Sequence, residues 1–161
     1  MNSFLAISCF FICFTTTIAF PKNGTKLWSH TFKLGEKTYF VDLNEVSFDD
    51  AVIFCKDNNL QLVAIENEIE NTNLYNHLDS LGIINSGLWT SGTKLAFSEE
   101  WVWLTSGEVI TFTDWNFEPT YKNNNEYCLA VVPSIHDPSH FWINDNCEVL
   151  AFPICQSVSS N

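Results

Sequence analysis

The chain has 161 residues, the size of one ordinary domain, and no Pro-, Gly- or Ser-rich linker divides it in two. It contains seven Lys, no Arg and 19 acidic residues, so its formal net charge is -12 at pH 7. This charge makes nucleic acid and anionic membranes poor partners, because both repel an acidic surface. Cations and neutral polar ligands remain compatible with it.

Residues 1–19 form the first element and have the composition of a secretory signal peptide. The stretch is apolar, carries no ionised side chain, and has the small residues Thr17 and Ala19 at its end. We expect cleavage after Ala19 and secretion of the mature protein to the extracellular space. A signal anchor is the alternative, but the stretch is short and interrupted by threonines, whereas a span needs about 20 apolar residues. We therefore predict no membrane span.

A polar N-terminal arm, residues 20–37, is predicted after the cleavage site. It contains a sequon at Asn23, which predicts that the protein is a glycoprotein modified at this residue. The folded domain is expected over residues 38–156, and residues 157–161 are expected to form a C-terminal tail.

Local patterns then predict one strand and a first helix. Lys37–Leu43 is enriched in aromatic and β-branched residues, as strands are. Ser47 is a suitable N-cap, with Asp50 as the acid of a capping box, and the apolar residues that follow recur at helical spacing. Cys55 belongs to this spacing, so it is expected to point from the helix into the core.

A buried strand and a second helix are predicted next. Leu60–Ile65 is a short apolar segment of the kind found in buried strands. The acidic segment Glu66–Glu68 suits the positive N-terminal end of a helix. This helix contains the apolar residues between Ile69 and Leu81 and is predicted to end near Gly82.

The second half of the chain has short β-like runs separated by Gly, Pro and Asn. Two early helices followed by strands predict an α+β domain. Thr111–Asn125 lacks a regular period, which predicts a long functional loop. The tryptophans of this half are expected mainly in the core or at its edge. The predicted strands are Leu88–Thr90, Trp101–Trp103, Cys128–Val132, Phe141–Trp142 and Ala151–Cys155.

The cysteines fit an oxidising compartment, in which thiols pair. Two of the six leave with the signal peptide. The four that remain permit three pairings from the sequence alone. A zinc site is the competing use, but the chain has no CxxC motif and no neighbouring His at ligand spacing. The remaining cysteines are Cys55, Cys128, Cys147 and Cys155.

A series of motifs runs in order along the second half. They are Leu88–Thr93, Trp101–Trp103 followed by Ser106-Gly107, the triplet Glu118-Pro119-Thr120, Glu126 two residues before Cys128, and Trp142–Asp145. In this order they resemble the landmarks of the C-type lectin domain family, and the resemblance covers roughly Thr38 to Gln156. The form of the first motif resembles that of short, secreted single-domain lectins of insects.

The resemblance implies a C-type lectin-like fold, with two helices and short antiparallel strands beside a long loop region. It implies disulfides between Cys55 and Cys155 and between Cys128 and Cys147. It also implies a Ca²⁺ cofactor and partners that are glycans or glycoproteins. The implied calcium ligands are Glu118, Glu126, Asn144 and Asp145, and the implied sugar contacts are Glu118, Thr120, Glu126, Asn144 and Asp145. Glu118-Pro119 resembles the triplet associated with mannose-type sugars.

Two residues depart from the family's pattern. Thr120 stands where a calcium-dependent lectin has Asn or Asp, and its hydroxyl is a poorer calcium ligand than an amide oxygen. Counting back from Cys147 places Ile143 at the family's Asn and Asn144 at its Asp, whereas matching the letters uses Asn144 and Asp145. A one-residue slip turns side chains to the other face of a strand, so the two registers predict different ligands. We prefer the cysteine-anchored register, which needs no compensating gap.

Two other classes of function compete with calcium-dependent sugar binding. An enzyme is disfavoured, because the chain has no GxSxG, HExxH or P-loop motif and no acid–base pair with supporting context. A calcium-independent, protein-binding domain with a degenerate sugar site is the stronger rival, because fold does not determine function. Thr120 and Ile143 favour this rival. Glu118 and Glu126 on either side of Pro119 favour sugar binding.

Overall fold

The computed structural model describes residues 28–83, 87–94, 100–117, 119, 127–132 and 141–158. The predicted signal peptide, the sequon at Asn23 and the site residues Glu118, Thr120 and Glu126 lie outside these ranges. Neither helix in this part of the chain has the length and apolarity needed to cross a lipid bilayer. The described elements are β1 (His30–Leu34), β2 (Lys37–Val41), α1 (Phe48–Asp57), β3 (Gln61–Leu62), α2 (Glu68–Ser80), β4 (Leu88–Lys94), β5 (Trp101–Trp103), β6 (Cys128–Val131), β7 (Trp142–Asp145) and β8 (Phe152–Gln156).

The first helix, α1, begins where the sequence predicts it. The Ser47 side chain accepts a hydrogen bond from the backbone N–H of Asp50, and its hydroxyl donates to the Asp50 carboxylate at 2.9 Å. These are bonds of the N-cap type, which satisfy donors that the helix leaves unpaired. Phe48, Ala51 and Cys55 form the buried face. The helix therefore packs on the core through the residues that the helical spacing selected.

The second helix, α2, begins at the predicted acidic segment. The Asn67 side chain caps it by accepting the backbone N–H three residues later, at 2.9 Å. Leu74 and Leu78 are fully buried, whereas Ile69 is 75% exposed. The buried position one turn before Leu74 belongs to Asn71, so a polar side chain stands where an apolar one is usual.

The strands form one sheet in the order β1-β2-β8-β4-β6-β7, with β3 paired to β8 and β5 paired to β4. Neighbours in this order are antiparallel, except that β4 and β8 are parallel. The last strand, β8, thus lies between β2 and β4 and joins the two ends of the described fold. β7, which carries the predicted ligands Asn144 and Asp145, lies at the opposite end of the order from β1.

Two segments differ from the expectation. β1 lies within residues 20–37, which we interpreted as an arm, and it forms a hairpin with β2. Gly35 in the connecting turn has φ of 59°, a conformation that glycine adopts without strain. The strand predicted at Leu60–Ile65 is shorter, because only the two residues of β3 are in a strand. Val63 is buried and donates instead to the Ile154 carbonyl at 2.9 Å.

The predicted position of the tryptophans is confirmed. Trp89, Trp101, Trp103 and Trp142 are buried, and Trp115 is partly buried against Trp142. These rings bury large apolar areas, which is the main favourable contribution to folding. Four of these five rings therefore pack in one hydrophobic cluster together with Phe112, at the start of the long loop, whereas Trp89 belongs to a second cluster with Phe48 of α1.

Both disulfides that the resemblance implies are present. Cys55 is bonded to Cys155 and Cys128 to Cys147, with Cα–Cα distances of 5.6 and 5.3 Å. The first joins α1 to β8. The second joins the start of β6 to the turn that follows β7, so it lies beside the predicted ligands.

Candidate functional site

β7 carries Asn144 and Asp145, the predicted ligands that the structure describes. Both side chains are half-buried, and Cys128 of β6 lies directly opposite Asp145. Neighbouring side chains of a strand point to opposite faces. Asn144 therefore lies on the face of the buried Trp142, and Asp145 lies on the face of Ile143.

Ile143 occupies the position that the cysteine-anchored register assigns to the family's Asn. It packs against a hydrophobic cluster that contains Cys128 and Ala130 of β6. An aliphatic side chain has no oxygen for a metal ion. The strand therefore offers the amide of Asn144 and the carboxylate of Asp145, whose Oδ1 accepts the Asn146 N–H at 2.7 Å.

The loop segment 114–117, which precedes Glu118, is hydrogen-bonded to β7. The Asp114 carbonyl accepts the Trp142 N–H at 2.9 Å, and the Asn116 N–H donates to the Trp142 carbonyl at 2.8 Å. The backbones of Trp115 and Trp142 pair as an isolated parallel β-bridge. This segment therefore runs beside β7 in the same direction, toward Asn144.

Asn71 of α2, which is not among the predicted site residues, holds this loop in place. Its side chain is 6% exposed. Nδ2 donates to Asp114 Oδ2 at 2.6 Å, and Oδ1 accepts the indole N–H of Trp142 at 2.8 Å. One amide thus joins α2, the loop and β7, and it gives the buried indole the partner that such groups require. The signal was available, because Asn71 interrupts the apolar spacing formed with Leu74 and Leu78.

Aromatic rings support Trp142 from several sides. Trp103, Phe112 and Trp115 approach it edge-on, with centroid distances of 5.5 to 5.7 Å. This geometry is favourable for aromatic pairs. Phe117 differs from these rings, because it is 73% exposed immediately before Glu118. The loop is thus packed as far as Trp115 and presents one aromatic ring to solvent beside the predicted ligand.

The other end of the loop region is anchored at Tyr127, the residue after Glu126. Its carbonyl accepts two hydrogen bonds from β4, one from the Thr93 hydroxyl and one from the backbone N–H of Lys94, both at 2.9 Å. Cys128 then begins β6 and is bonded to Cys147. The chain beside Glu126 is therefore held against β4 and against the end of β7.

The described residues contain no group of three or more His, Cys, Asp or Glu side chains that could hold a metal ion. The predicted ligands Glu118 and Glu126 are outside the residues searched. Asn144 and Asp145 provide amide and carboxylate oxygens, which are ligand types that calcium takes. The donor chemistry of this pair therefore fits calcium, although Ile143 between Trp142 and Asn144 adds nothing to it.

A family model described as the lectin C-type domain matches residues 44–157. Among curated relatives, E-selectin of the horse (Equus caballus) is 26% identical over 130 residues, which are 78% of this chain and 20% of E-selectin. The chain thus spans about a fifth of the length of the first curated relatives that it matches. These relatives do not test the predicted likeness to insect lectins.

Solved structures have the same fold. A mouse scavenger receptor C-type lectin carbohydrate-recognition domain matches with a TM-score of 0.68 and 22% identity, covering 83% of this chain and 97% of that domain. A calcium-independent type II antifreeze protein matches with a TM-score of 0.66 and 15% identity, covering 82% and 94%. At these identities the likeness shows the fold alone, and it confirms the predicted α+β fold. The family model, which matches most of the chain, establishes that the chain belongs to the C-type lectin domain family.

Proposed function

We propose that the chain is a secreted domain that binds glycans through calcium. Its family is one of carbohydrate-binding domains that are not enzymes. The residues assigned to calcium are Glu118, Glu126, Asn144 and Asp145, and Thr120 joins them as a sugar contact. A bound calcium ion supplies coordination positions that sugar hydroxyls fill in place of water. The Glu118-Pro119 pair favours mannose-type sugars.

The observation that carries this proposal is the way β7 organises both ends of the loop. The segment before Glu118 is bonded to Trp142 and runs toward Asn144. The segment after Glu126 lies on the other edge of β7, where Cys128 is opposite Asp145. These anchors support a site in which the two glutamates approach the Asn144 end of the strand.

Within that site we assign Asn144 and Asp145 different roles. Neighbouring side chains of a strand point to opposite faces, so an ion on one face is coordinated directly by only one of the two. The cysteine-anchored register makes Asn144 that ligand. Asp145, whose Oδ1 already accepts a backbone N–H, contributes mainly negative charge and its remaining oxygen.

The proposal is tested by the melting temperature, Tm, of the mature, oxidised protein in chelator and then in millimolar calcium. A ligand that binds only the folded state stabilises it by about 2.7 kcal/mol at a hundredfold excess over its dissociation constant. For a domain of this size that corresponds to a rise in Tm of roughly 5 to 15 °C. Glu126→Ala is expected to abolish the rise.

Glu148→Ala is the matched control, because Glu148 is an exposed acid just after Cys147 and is not assigned to the site. This variant is expected to keep the full calcium-dependent rise. A protein whose Tm is the same in chelator and in calcium would refute calcium binding. An equal loss in both variants would mean that general negative charge, rather than a site, attracts the ion.

A calcium-independent, protein-binding domain is the second candidate, and Ile143 favours it. This side chain packs against an apolar cluster at the position where the preferred register requires a ligand. The fold itself does not require the ion, since a calcium-independent antifreeze protein shares it. A Tm that calcium does not change, together with no binding to a glycan array with or without calcium, would support this candidate.

Secretion and the chain's organisation belong to the same proposal. We assign residues 1–19 to a signal peptide and 157–161 to a tail. Because β1 belongs to the sheet, the arm predicted at 20–37, with its glycan at Asn23, is shortened to the residues before β1, and the domain predicted at 38–156 begins at β1. The two disulfides support an oxidising compartment. Mass spectrometry of the protein recovered from culture medium is expected to find an N-terminus near residue 20 and a mass increase that a glycosidase removes.

A further inference from the structure

A second concave surface lies between α2 and the loop, separate from the residues assigned above to calcium. This cleft has a volume of about 390 Å³, which falls within the usual range for small-ligand sites. One wall is α2, and the other contains Asp114 and Phe141. Neither the core nor the proposed calcium site accounts for the side chains of the helical wall.

The helical wall is a polar stripe. Glu68, Thr72 and Asn76 line the cleft and follow one another at intervals of four residues, which places them on one face of α2. All three are exposed. They provide a carboxylate, a hydroxyl and an amide, so that this face both donates and accepts hydrogen bonds.

Two polar side chains that line the cleft, one from each wall, are already held in place. Asn71 and Asp114 both line it and are joined by the 2.6 Å hydrogen bond from Nδ2 to Oδ2. Asn71 is also held by the indole of Trp142. A ligand that binds here does not have to order these groups, and such preorganisation reduces the entropic cost of binding.

An aromatic corner completes the cleft. Tyr75 and Phe141 lie with their rings nearly perpendicular, at 86°, and 5.1 Å apart between centroids. Phe141 is only 1% exposed, so the half-buried Tyr75 that packs against it provides the aromatic surface of the cleft. The cleft therefore combines ring surface with neutral and acidic hydrogen-bonding groups.

We propose that this cleft binds a mannose-type pyranose directly, without calcium, as a second sugar subsite. The hydroxyls of a pyranose both donate and accept, as the groups of α2 do, and its C–H surface can pack against the half-buried ring of Tyr75. The described residues that line the cleft include no Lys or Arg, and the chain carries a net charge of -12, so anionic ligands are disfavoured. The choice of sugar rests on the proposed function, whereas the cleft and its polarity do not.

The test is an NMR titration of the mature, ¹⁵N-labelled protein with methyl α-D-mannopyranoside in the presence of EDTA. We expect saturable shifts of the backbone amides of Thr72, Asn76 and Asp114. Asn76→Trp fills the cleft and is expected to weaken this binding at least tenfold. Asn73→Trp is the matched control, because Asn73 is exposed on the same helix but lines a different cleft, and it should bind as the unmodified protein does.

The outcomes separate this subsite from the calcium site. Saturable shifts that persist in Glu126→Ala support the subsite, even if calcium proves to have no effect on Tm. A calcium-dependent Tm without sugar-induced shifts at the cleft overturns the subsite and leaves the proposed function intact. Shifts at the cleft caused by calcium alone, or equal weakening in both tryptophan variants, also overturn it.

Discussion

Glu70 and Asn71 are neighbours on α2, yet they hold two different regions of the molecule. Glu70 Oε1 accepts the Tyr39 hydroxyl at 2.7 Å and the Lys37 ammonium at 2.8 Å, which joins α2 to β2. Asn71 joins α2 to the loop and to β7 through Asp114 and the Trp142 indole. We call the first group (Lys37, Tyr39, Glu70) the charged cluster and the second (Asn71, Asp114, Trp142) the amide cluster.

The two clusters act on backbones of different kinds. In the charged cluster, Lys37 and Tyr39 belong to β2, which is already hydrogen-bonded to β1 and β8. In the amide cluster, Asp114 belongs to a loop segment outside the named strands, although backbone bonds join it to β7. A side-chain bond therefore adds stability in the first region, whereas in the second it also determines where the loop lies. We expect loss of the amide cluster to impair ligand binding, and loss of the charged cluster to reduce stability alone.

The disulfides extend this comparison and give the largest expected effect. Cys55–Cys155 has a sequence separation of 100 and Cys128–Cys147 of 19. In the chain-entropy model, loops of these lengths stabilise the fold by about 4.7 and about 3 kcal/mol. Replacing both cysteines of a pair by Ser should cost more stability for the first pair, measured by urea unfolding.

Loss of the second disulfide is expected to impair binding more than folding, because this disulfide lies beside Asp145 and close in sequence to Glu126. Calcium titration of the still-folded Cys128→Ser/Cys147→Ser variant measures this. Calcium affinity equal to that of the unmodified protein would show that the inner disulfide does not organise the site.

Asn71→Ala tests the amide cluster and has the next largest expected effect. It removes one hydrogen bond to Asp114 and leaves the buried Trp142 indole N–H without its Asn71 partner, at a cost of about 3 kcal/mol. Asn73→Ala, at an exposed position of the same helix, should change stability by less than about 0.5 kcal/mol. We also expect Asn71→Ala to weaken calcium and sugar binding. If Asn71→Ala lowers the stability but leaves calcium and sugar affinity unchanged, the role assigned to this cluster is wrong.

Tyr39→Phe tests the charged cluster and should have a smaller effect. It removes one hydrogen bond to Glu70 while Lys37 remains, at a cost of about 1 kcal/mol at neutral pH. Binding is expected to be unchanged. Chemical unfolding and calcium titration of the same variant measure both quantities, and a large loss of binding would contradict the proposed division between the clusters.

The alkaline pH dependence provides the smallest and most specific effect. Burial, and then the hydrogen bond to Glu70, raise the pKa of Tyr39 above its ordinary value. Above about pH 10 the unfolded chain loses this proton while the folded protein keeps it, so stability falls as the pH rises. The contribution is fully present below that pH. The stability difference between the unmodified protein and Tyr39→Phe should therefore narrow between about pH 10 and 11.

Much of the fold could be predicted where the signal is local. Ser47 and Asp50 are three residues apart, so their capping bonds depend on one helical turn. Leu74 and Leu78 are one turn apart, and their burial follows from helical spacing. β1 was missed although its signal was also local: polar and apolar residues alternate from Thr31 to Leu34, and Gly35 follows at the turn.

The candidate site could be predicted only through ordered motifs. Glu118 and Glu126 were selected by their positions relative to Pro119 and Cys128, and they remain predictions. Asn144 was selected by its distance from Cys147, and Asp145 by the match of its residue type to the family's motif. The sequence did not show that the half-buried Ile143 packs against the core, because its neighbours Cys128 and Ala130 come from another strand.

The sequence by itself determined most of the secondary-structure pattern, the N-cap of the first helix and the family, because these depend on neighbouring residues or on motifs in order. Only the tertiary structure decided which polar residues are buried and what they hold. Asn71 finds its partners 43 and 71 residues away. A bond between such distant residues depends on how α2, the loop and β7 pack, and no local pattern contains that information.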